Sequence, residues 1–351
     1  MKYSIIVVAY NIEAFIGDCL ESCIFPGRGD YEVIVVYNAS TDGTLDAIRR
    51  VTVRHPHLFT VIENKENLGL GEGRNQGMRA AAGDYYIFVD GDDLLTPDAL
   101  PVIASHIGRE TPDILMINFS RLYMDGRKEP NRFTKWLEQG ARNSVPERRH
   151  LLQNFGVAWN KVYARSFVMQ GNLNFPTCYY EDIVWNAECI MRAASIYVIP
   201  DVLVLYRQRP GSILRSTDIR HFDAIRQHRR IAEILSREAD LAVNYARELR
   251  NYSRKQMFAT LHNGGRVPAG SEGRFLLEIV RTLAIYDRLM DPPKRSLRER
   301  VASLGSFPLY RAYRFVDVQV TKIRKFYRRN KENLAHGLLA RYRGRTPTRS
   351  E

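Results

Sequence analysis

Over the first ~120 residues, short β-branched runs alternate with longer amphipathic stretches, the pattern of a parallel sheet with helices on its faces. Strands are predicted at residues 3–9, 32–37, 58–63, 85–89 and 113–119, and helices near 12–24, 42–54, 72–82 and 97–108. The last helix has a start signal, with Thr96 as N-cap and Pro97 at the first helical position. Residues 125–150 are polar and rich in Gly, Pro, Asn and Arg, which predicts an irregular connection. A mixed region follows to residue 215, with a helix near 181–194 and a strand near 196–206. Beyond residue 217 the pattern is predominantly helical. The expected fold class is therefore α/β, a Rossmann-like, mostly parallel sheet flanked by helices, with a predominantly helical C-terminal extension. Its divisions are a sheet domain at 1–215, with halves at about 1–120 and 121–215, a helical extension at 216–310 and a basic segment at 311–351.

Composition narrows the class. With 45% hydrophobic and 26% charged residues, the 351-residue chain reads as a globular protein. No apolar run approaches the ~20 residues that cross a bilayer. Cys19, Cys23, Cys178 and Cys189 show neither CxxC nor Cys/His spacing, which fits reduced core thiols in a cytoplasmic protein.

The net charge of +13 is uneven: residues 311–351 hold 12 Lys and Arg against 3 Asp and Glu, leaving +4 on the rest. There Tyr313, Val316, Val320, Ile323 and Tyr327 form one apolar helical stripe, flanked by Lys322, Arg324, Lys325, Arg328 and Arg329. Such a helix lies on an anionic membrane surface or docks on the protein's own body. The expected localisation is cytoplasmic, or peripheral on the cytoplasmic face of the inner membrane. Because the positive charge sits in this tail without a base-reading motif, no nucleic-acid partner is expected, although the overall basicity keeps a nucleic-acid-binding protein as a weaker alternative.

The chemistry concentrates at Tyr85-Tyr86-Ile87-Phe88-Val89-Asp90-Gly91-Asp92-Asp93, where a buried-strand pattern ends in three carboxylates. Like charges packed at a strand tip repel one another and resist desolvation unless a cation or hydrogen-bond donors answer them. Mg2+ or Mn2+ would do so while leaving positions for substrate phosphates. In open α/β sheets ligands bind beyond the carboxyl ends of the strands. Ala9-Tyr10-Asn11, Tyr37-Asn38 and Asp90-Gly91-Asp92 all fall there.

Six segments occur in one order: VVAYN (7–11), NASTDGT (38–44), GLGEGRNQG (69–77), GDYYIFVDGDD (83–93), YYED (179–182) and LYRQRPGS (205–212). Together they resemble glycosyltransferase family 2, inverting enzymes of GT-A fold that build bacterial surface polysaccharide and lipopolysaccharide. The resemblance covers residues 3–215 and implies transfer of a sugar from a nucleotide-sugar, with UDP as the expected nucleotide, to a glycan or lipid-linked acceptor. It implies a divalent metal, Mn2+ or Mg2+, held by Asp92, with Asp90 on the ribose or the metal shell. Asp93 would cap the next helix or orient a ligand. Ala9, Tyr10, Arg74, Arg207, Arg209 and Ser212 would line the nucleotide-sugar, Arg74 donating to the nucleotide or to the metal-site carboxylates. Family members usually carry an acidic residue where Asn38 stands. Its amide carbonyl can accept from uracil N3–H, and it fits another base equally. Trp159 and Lys161 would shape the acceptor side. The general base would come from Glu181-Asp182, with Asp182 preferred and Glu181 in support, because adjacent helical residues point about 100° apart. A nucleotidyltransferase would share a related sheet and metal, but no Gly-rich basic triphosphate loop follows the first strand.

Overall fold

A computed structural model of the protein describes residues 2–131, 138–154, 156–209, 216–263, 265–290, 297–304 and 307–313. One mixed sheet organises it. Its first half is β1 (Tyr3–Ala9), β2 (Tyr31–Tyr37), β3 (Phe59–Glu63) and β4 (Tyr85–Asp90), all parallel. The second half holds β5 (Leu94–Leu95), β6 (Ile114–Tyr123), β7 (Lys128–Pro130), β8 (Gly140–Ala141), β9 (Lys161–Ala164) and β10 (Ile196–Gln208). The order is β3-β2-β1-β4-β9-β6-β10-β5, with β7 on β6 and β8 on β10. The long ladders are parallel; the antiparallel contacts come from the short strands β5, β7, β8 and β9.

Both faces of the parallel half are covered, so its strands are apolar at successive positions rather than alternating. Ile5, Val7, Val33, Val35, Ile87 and Val89 face one core, closed by α1 (Glu13–Ser22), α2 (Thr44–Thr52) and α4 (Ala99–Glu110). Ile6, Val8, Ile34, Val36 and Phe88 face the other, beneath α3 (Gly69–Ala80) and α7 (Glu181–Arg192). Helices α5 (Val145–Asn154) and α6 (Arg165–Gln170) complete this half. Glycines let α3 approach β1: a Cβ on Gly77 would stand 2.3 Å from Ile6 Cγ2, and one on Gly73 2.7 Å from Val8 Cγ1.

The extension comprises α8 (Asp223–Arg237), α9 (Ala239–His262), α10 (Glu272–Asp287) and α11 (Leu297–Ser303). It has a core of its own around Phe258, Phe275 and Ile279. Yet Ile231, Leu235, Leu249 and Tyr286 belong to the same apolar cluster as Trp185 and Phe88, which fastens the extension to the sheet. Among the described residues no helix is long and apolar enough to cross a membrane. The basic stripe from Val316 onward lies outside the described residues.

Two local expectations are corrected. The helix after the acidic motif begins at Ala99 rather than at Pro97, because Leu94 and Leu95 pair with β10 and Thr96 N–H still donates to Leu203 O. The 125–150 stretch is not wholly irregular: it holds β7, β8 and the start of α5, where Ser144 donates to Glu147 through both its N–H and its hydroxyl.

Candidate active site

The carboxyl ends of β1, β2 and β4 meet at one crevice, since Val8 is in register with Asp90 and Ala9 with Tyr37. Just beyond them the backbone turns sharply, with Asn11 and Ala39 each at a φ of 50°. Non-glycine residues in this region cost about 1 kcal/mol or more and persist where surrounding bonds impose them. Here Asn11 N–H donates to Ser40 Oγ and Thr41 N–H to Asn11 Oδ1, tying the two strand tips together. Ala9 is buried at this rim and Tyr10 is exposed.

At the centre lies Arg74, delivered by α3 and only 1% exposed. Its Nη2 donates to Asp90 Oδ1 at 2.7 Å, and its Nη1 donates to Glu181 Oε1 at 2.8 Å and to Asp182 Oδ1 at 2.7 Å. Its guanidinium carbon stands 5.1 Å from the ring centre of Phe175, which is stacked on Trp185. Asn75, the next residue on α3, exchanges two hydrogen bonds of 2.9 Å with the backbone of Phe175 and so pins the segment leading to α7. Tyr180 then turns left-handed at φ 63°, and α7 opens on Glu181 and Asp182, whose charges suit a helix N-terminus. Asp90 at the tip of β4 and the Glu181-Asp182 pair at the start of α7 thus share one cation.

The carboxylates differ in surroundings. Burial, reinforced by Asp182, pushes Glu181 up to about 8 against the pull of Arg74. Burial likewise lifts Asp90 to about 6, opposed by Arg74 and supported by Asp92 and Asp182. Asp93 is driven well above the usual carboxylate range by burial and then by Asp90 and Asp92. It does not cap α4: its Oδ1 accepts from Arg207 N–H, and its buried Oδ2 has no partner among the described residues. Asp92 Oδ2 accepts from Arg209 Nε at 2.5 Å. Arg207 donates from Nε to Asp92 O and from Nη2 to Asp18.

A tip that crowds three carboxylates, with hard oxygen donors at its end, suits a hard divalent cation. Asp90 and Asp92 are the pair that fits. Among the described residues no group of three or more His, Cys, Asp and Glu is arranged to hold a metal by itself, so diphosphate and water would have to complete the coordination.

Several residues expected to touch ligands are turned inward. Asn38 is 1% exposed; its Nδ2 donates to Gly69 O and its Oδ1 accepts from Asn64, which also exchanges bonds with Gln76. The amide suggested for reading a base is therefore engaged by the protein. Lys161 is fully buried, donating to Val157 O at 2.6 Å and Asn160 Oδ1 at 2.8 Å, and burial depresses it to about 7 against the opposing effect of Asp182. It braces the protein interior rather than facing the crevice. Trp159 is buried against Tyr206, with ring centres 5.1 Å apart, and meets Phe119 edge-on at 4.8 Å. Ser212 lies outside the described residues. Phe15, which the sequence does not single out, lies against both arginines, 5.2 Å from Arg207 and 5.5 Å from Arg209.

An open sheet with carboxylates beyond its fourth strand and a helical extension behind it defines a GT-A fold. The comparisons agree: residues 4–168 match the model described as glycosyl transferase family 2. Over 233 residues it is 27% identical to an uncharacterized glycosyltransferase, EpsJ, of Bacillus subtilis, covering 64% of this chain and 65% of that one. It is 28% identical over 251 residues to the poly(ribitol-phosphate) beta-N-acetylglucosaminyltransferase TarS of Staphylococcus aureus, covering 69% of this chain and 42% of TarS. The chain thus spans less than two thirds of the length of these relatives. The crystal structure of S. aureus TarS 1–349 in complex with UDP-GlcNAc superposes with a TM-score of 0.72 at 22% identity, over 89% of this chain and 90% of that one, a likeness of fold.

Proposed function

We propose that the protein is an inverting glycosyltransferase that moves a sugar from a nucleoside-diphosphate sugar to a hydroxyl of a glycan or lipid-linked acceptor in surface-polysaccharide synthesis. The observation that carries the reading is the buried guanidinium of Arg74, which holds Asp90 on the nucleotide side and Asp182 on the helix facing it. That arrangement keeps a carboxylate aimed into the crevice from across the acidic strand tip. UDP is the donor nucleotide we favour, in line with the UDP-GlcNAc complex named for TarS.

Inversion requires the acceptor oxygen to attack the anomeric carbon from the face opposite the leaving diphosphate. As the new C–O bond forms, Asp182 takes the hydroxyl proton and the bond to the phosphate oxygen breaks, its electron pair leaving with the nucleoside diphosphate. Glu181 is less suited to that role: it is more deeply buried than Asp182, and burial favours its protonated form. It serves by donating or accepting within the Arg74 cluster. Asp90 and Asp92 would hold a divalent cation, which when bound supplies positive charge to the diphosphate. Arg207 and Arg209 add guanidinium groups on the same rim. Residues 311–351 would bring the enzyme to an anionic membrane surface.

Two measurements test the reading. A thermal-shift screen should find a nucleotide-sugar whose stabilisation grows with Mn2+, a dependence that Asp92→Ala removes. Asp182→Asn should keep that stabilisation and abolish transfer. Normal transfer by Asp182→Asn would refute the assignment of the base.

A further inference from the structure

Each carboxylate of the acidic tip has a different kind of counter-group. Asp90 is held by Arg74, whose side chain is 2% exposed and fixed by three partners. Asp93 is held by a backbone N–H of β10, which cannot leave without opening the strand end. Asp92 alone is answered by a side chain that can move: Arg209 is 21% exposed, pairs with it at 2.5 Å and stands immediately past the end of β10. The neighbouring Arg207 is engaged elsewhere, on Asp92 O and Asp18, and both guanidinium groups lie over the ring of Phe15, 5.2 and 5.5 Å from its centre.

We infer that Arg209 is an exchangeable counterion: it neutralises Asp92 in the free protein and transfers to the diphosphate when Asp92 is taken by a divalent cation. This rests on the metal-assisted, nucleoside-diphosphate reading of the site. Its consequence is a coupling. A cation arriving alone must strip Arg209 from Asp92 and leave the guanidinium without an anion. A cation arriving with diphosphate gives that guanidinium two phosphate groups to hold in fork geometry. Metal and diphosphate therefore raise each other's affinity, and Arg209 sets the size of the effect. The same exchange keeps the acidic tip neutralised when donor is absent, without a bound metal.

The test separates Arg209 as competitor from Arg209 as a plain phosphate ligand, because only the competitor role predicts that its removal tightens Mn2+ binding in the absence of diphosphate. Binding of Mn2+ alone to the full chain is followed by the free-ion electron paramagnetic resonance signal. Binding of UDP, with GDP, CDP and dTDP run beside it, is measured calorimetrically at saturating Mn2+. Arg209→Gln should tighten Mn2+ alone by about fivefold, the factor a partly exposed ion pair is worth. It should weaken the nucleoside diphosphate by about tenfold through the lost charge-assisted bonds. Arg207→Gln removes the same charge but leaves the Asp92 pair intact, and should change Mn2+ alone by less than about twofold. Unchanged or weaker Mn2+ binding in Arg209→Gln, or equal tightening in Arg207→Gln, overturns the exchange while leaving the donor reading standing. If no nucleoside diphosphate binds any variant with Mn2+, the functional reading falls and the exchange falls with it.

Discussion

Replacing Arg74 with Met keeps an unbranched stem over Phe175 and removes the guanidinium on which Asp90, Glu181 and Asp182 converge. Glu181 absorbs less of the change, because burial already favours its protonated form over the ionised one. The loss falls on Asp90 and Asp182, whose side chains are 24% and 20% exposed. Removing one partner of a buried ion pair costs about 3–5 kcal/mol, and the partial exposure of these two carboxylates places the expectation near the lower end. A domain of this kind is stable by about 5–15 kcal/mol, so Arg74→Met should fold, with a lowered urea midpoint.

The sign of the pH dependence follows from the same geometry. Asp90 stands at about 6 with Arg74 present, above its ordinary 3.8, and rises further without it. A carboxyl whose folded value exceeds its unfolded one binds more protons in the folded state, so its contribution to stability is retained at low pH and lost as pH rises. The deficit of Arg74→Met relative to wild type should therefore open as pH rises through about 6 and shrink towards about pH 5. Urea unfolding followed by tryptophan fluorescence checks this, since Trp185 is stacked on Phe175 beside the cluster. A deficit below about 1 kcal/mol at about pH 8, or one equal at both pH values, would mean that the carboxylates are solvated independently and that the shared cation is not what holds them.

Three further outcomes are expected. Gly77→Ala should lower the melting temperature, because its Cβ would stand 2.3 Å from Ile6 Cγ2 and overpacking of about 1–3 kcal/mol outweighs the better helix propensity of Ala. Gly108→Ala on α4 meets nothing within 4 Å and should instead stabilise by about 0.5–1 kcal/mol; a shared sign for the two would refute the close approach of α3 to β1. Changing Lys322, Arg324, Lys325, Arg328 and Arg329 together to Gln should abolish salt-sensitive co-sedimentation with vesicles containing phosphatidylserine, and unchanged sedimentation would remove the membrane role of the tail.

The parallel half was legible because its signals are local. Runs such as Ser4-Ile5-Ile6-Val7-Val8-Ala9 are too short for helices and apolar on both faces, and the β1, β2 and β4 ladders follow from them. The second half was less so. Strand β9 is four residues long and owes its pairing to β4 and β6 on either side, which no property of Lys161-Val162-Tyr163-Ala164 announces. Helix α5 did carry a signal, Ser144-Val145-Pro146-Glu147 with its capping bonds, but the surrounding polar composition obscured it.

At the site, sequence spacing identifies which groups carry charge but not which groups compensate one another. Asp90, Asp92, Arg74 and Glu181-Asp182 stand out as chemistry-bearing residues, yet their pairings span up to 108 positions and depend on how closely α3 sits on β1. Burial is equally invisible along the chain. Lys161 and Asn38 have ordinary polar side chains in sequence and become internal braces only because their neighbours enclose them. The same enclosure separates Glu181 from Asp182. Adjacent acids with nearly equal solution chemistry become a buried member whose protonated form is favoured and a more exposed neighbour, so the proposal of Asp182 as base rests on burial and a shared arginine rather than on the motif. An Arg74 variant should therefore impair Asp182 without touching it.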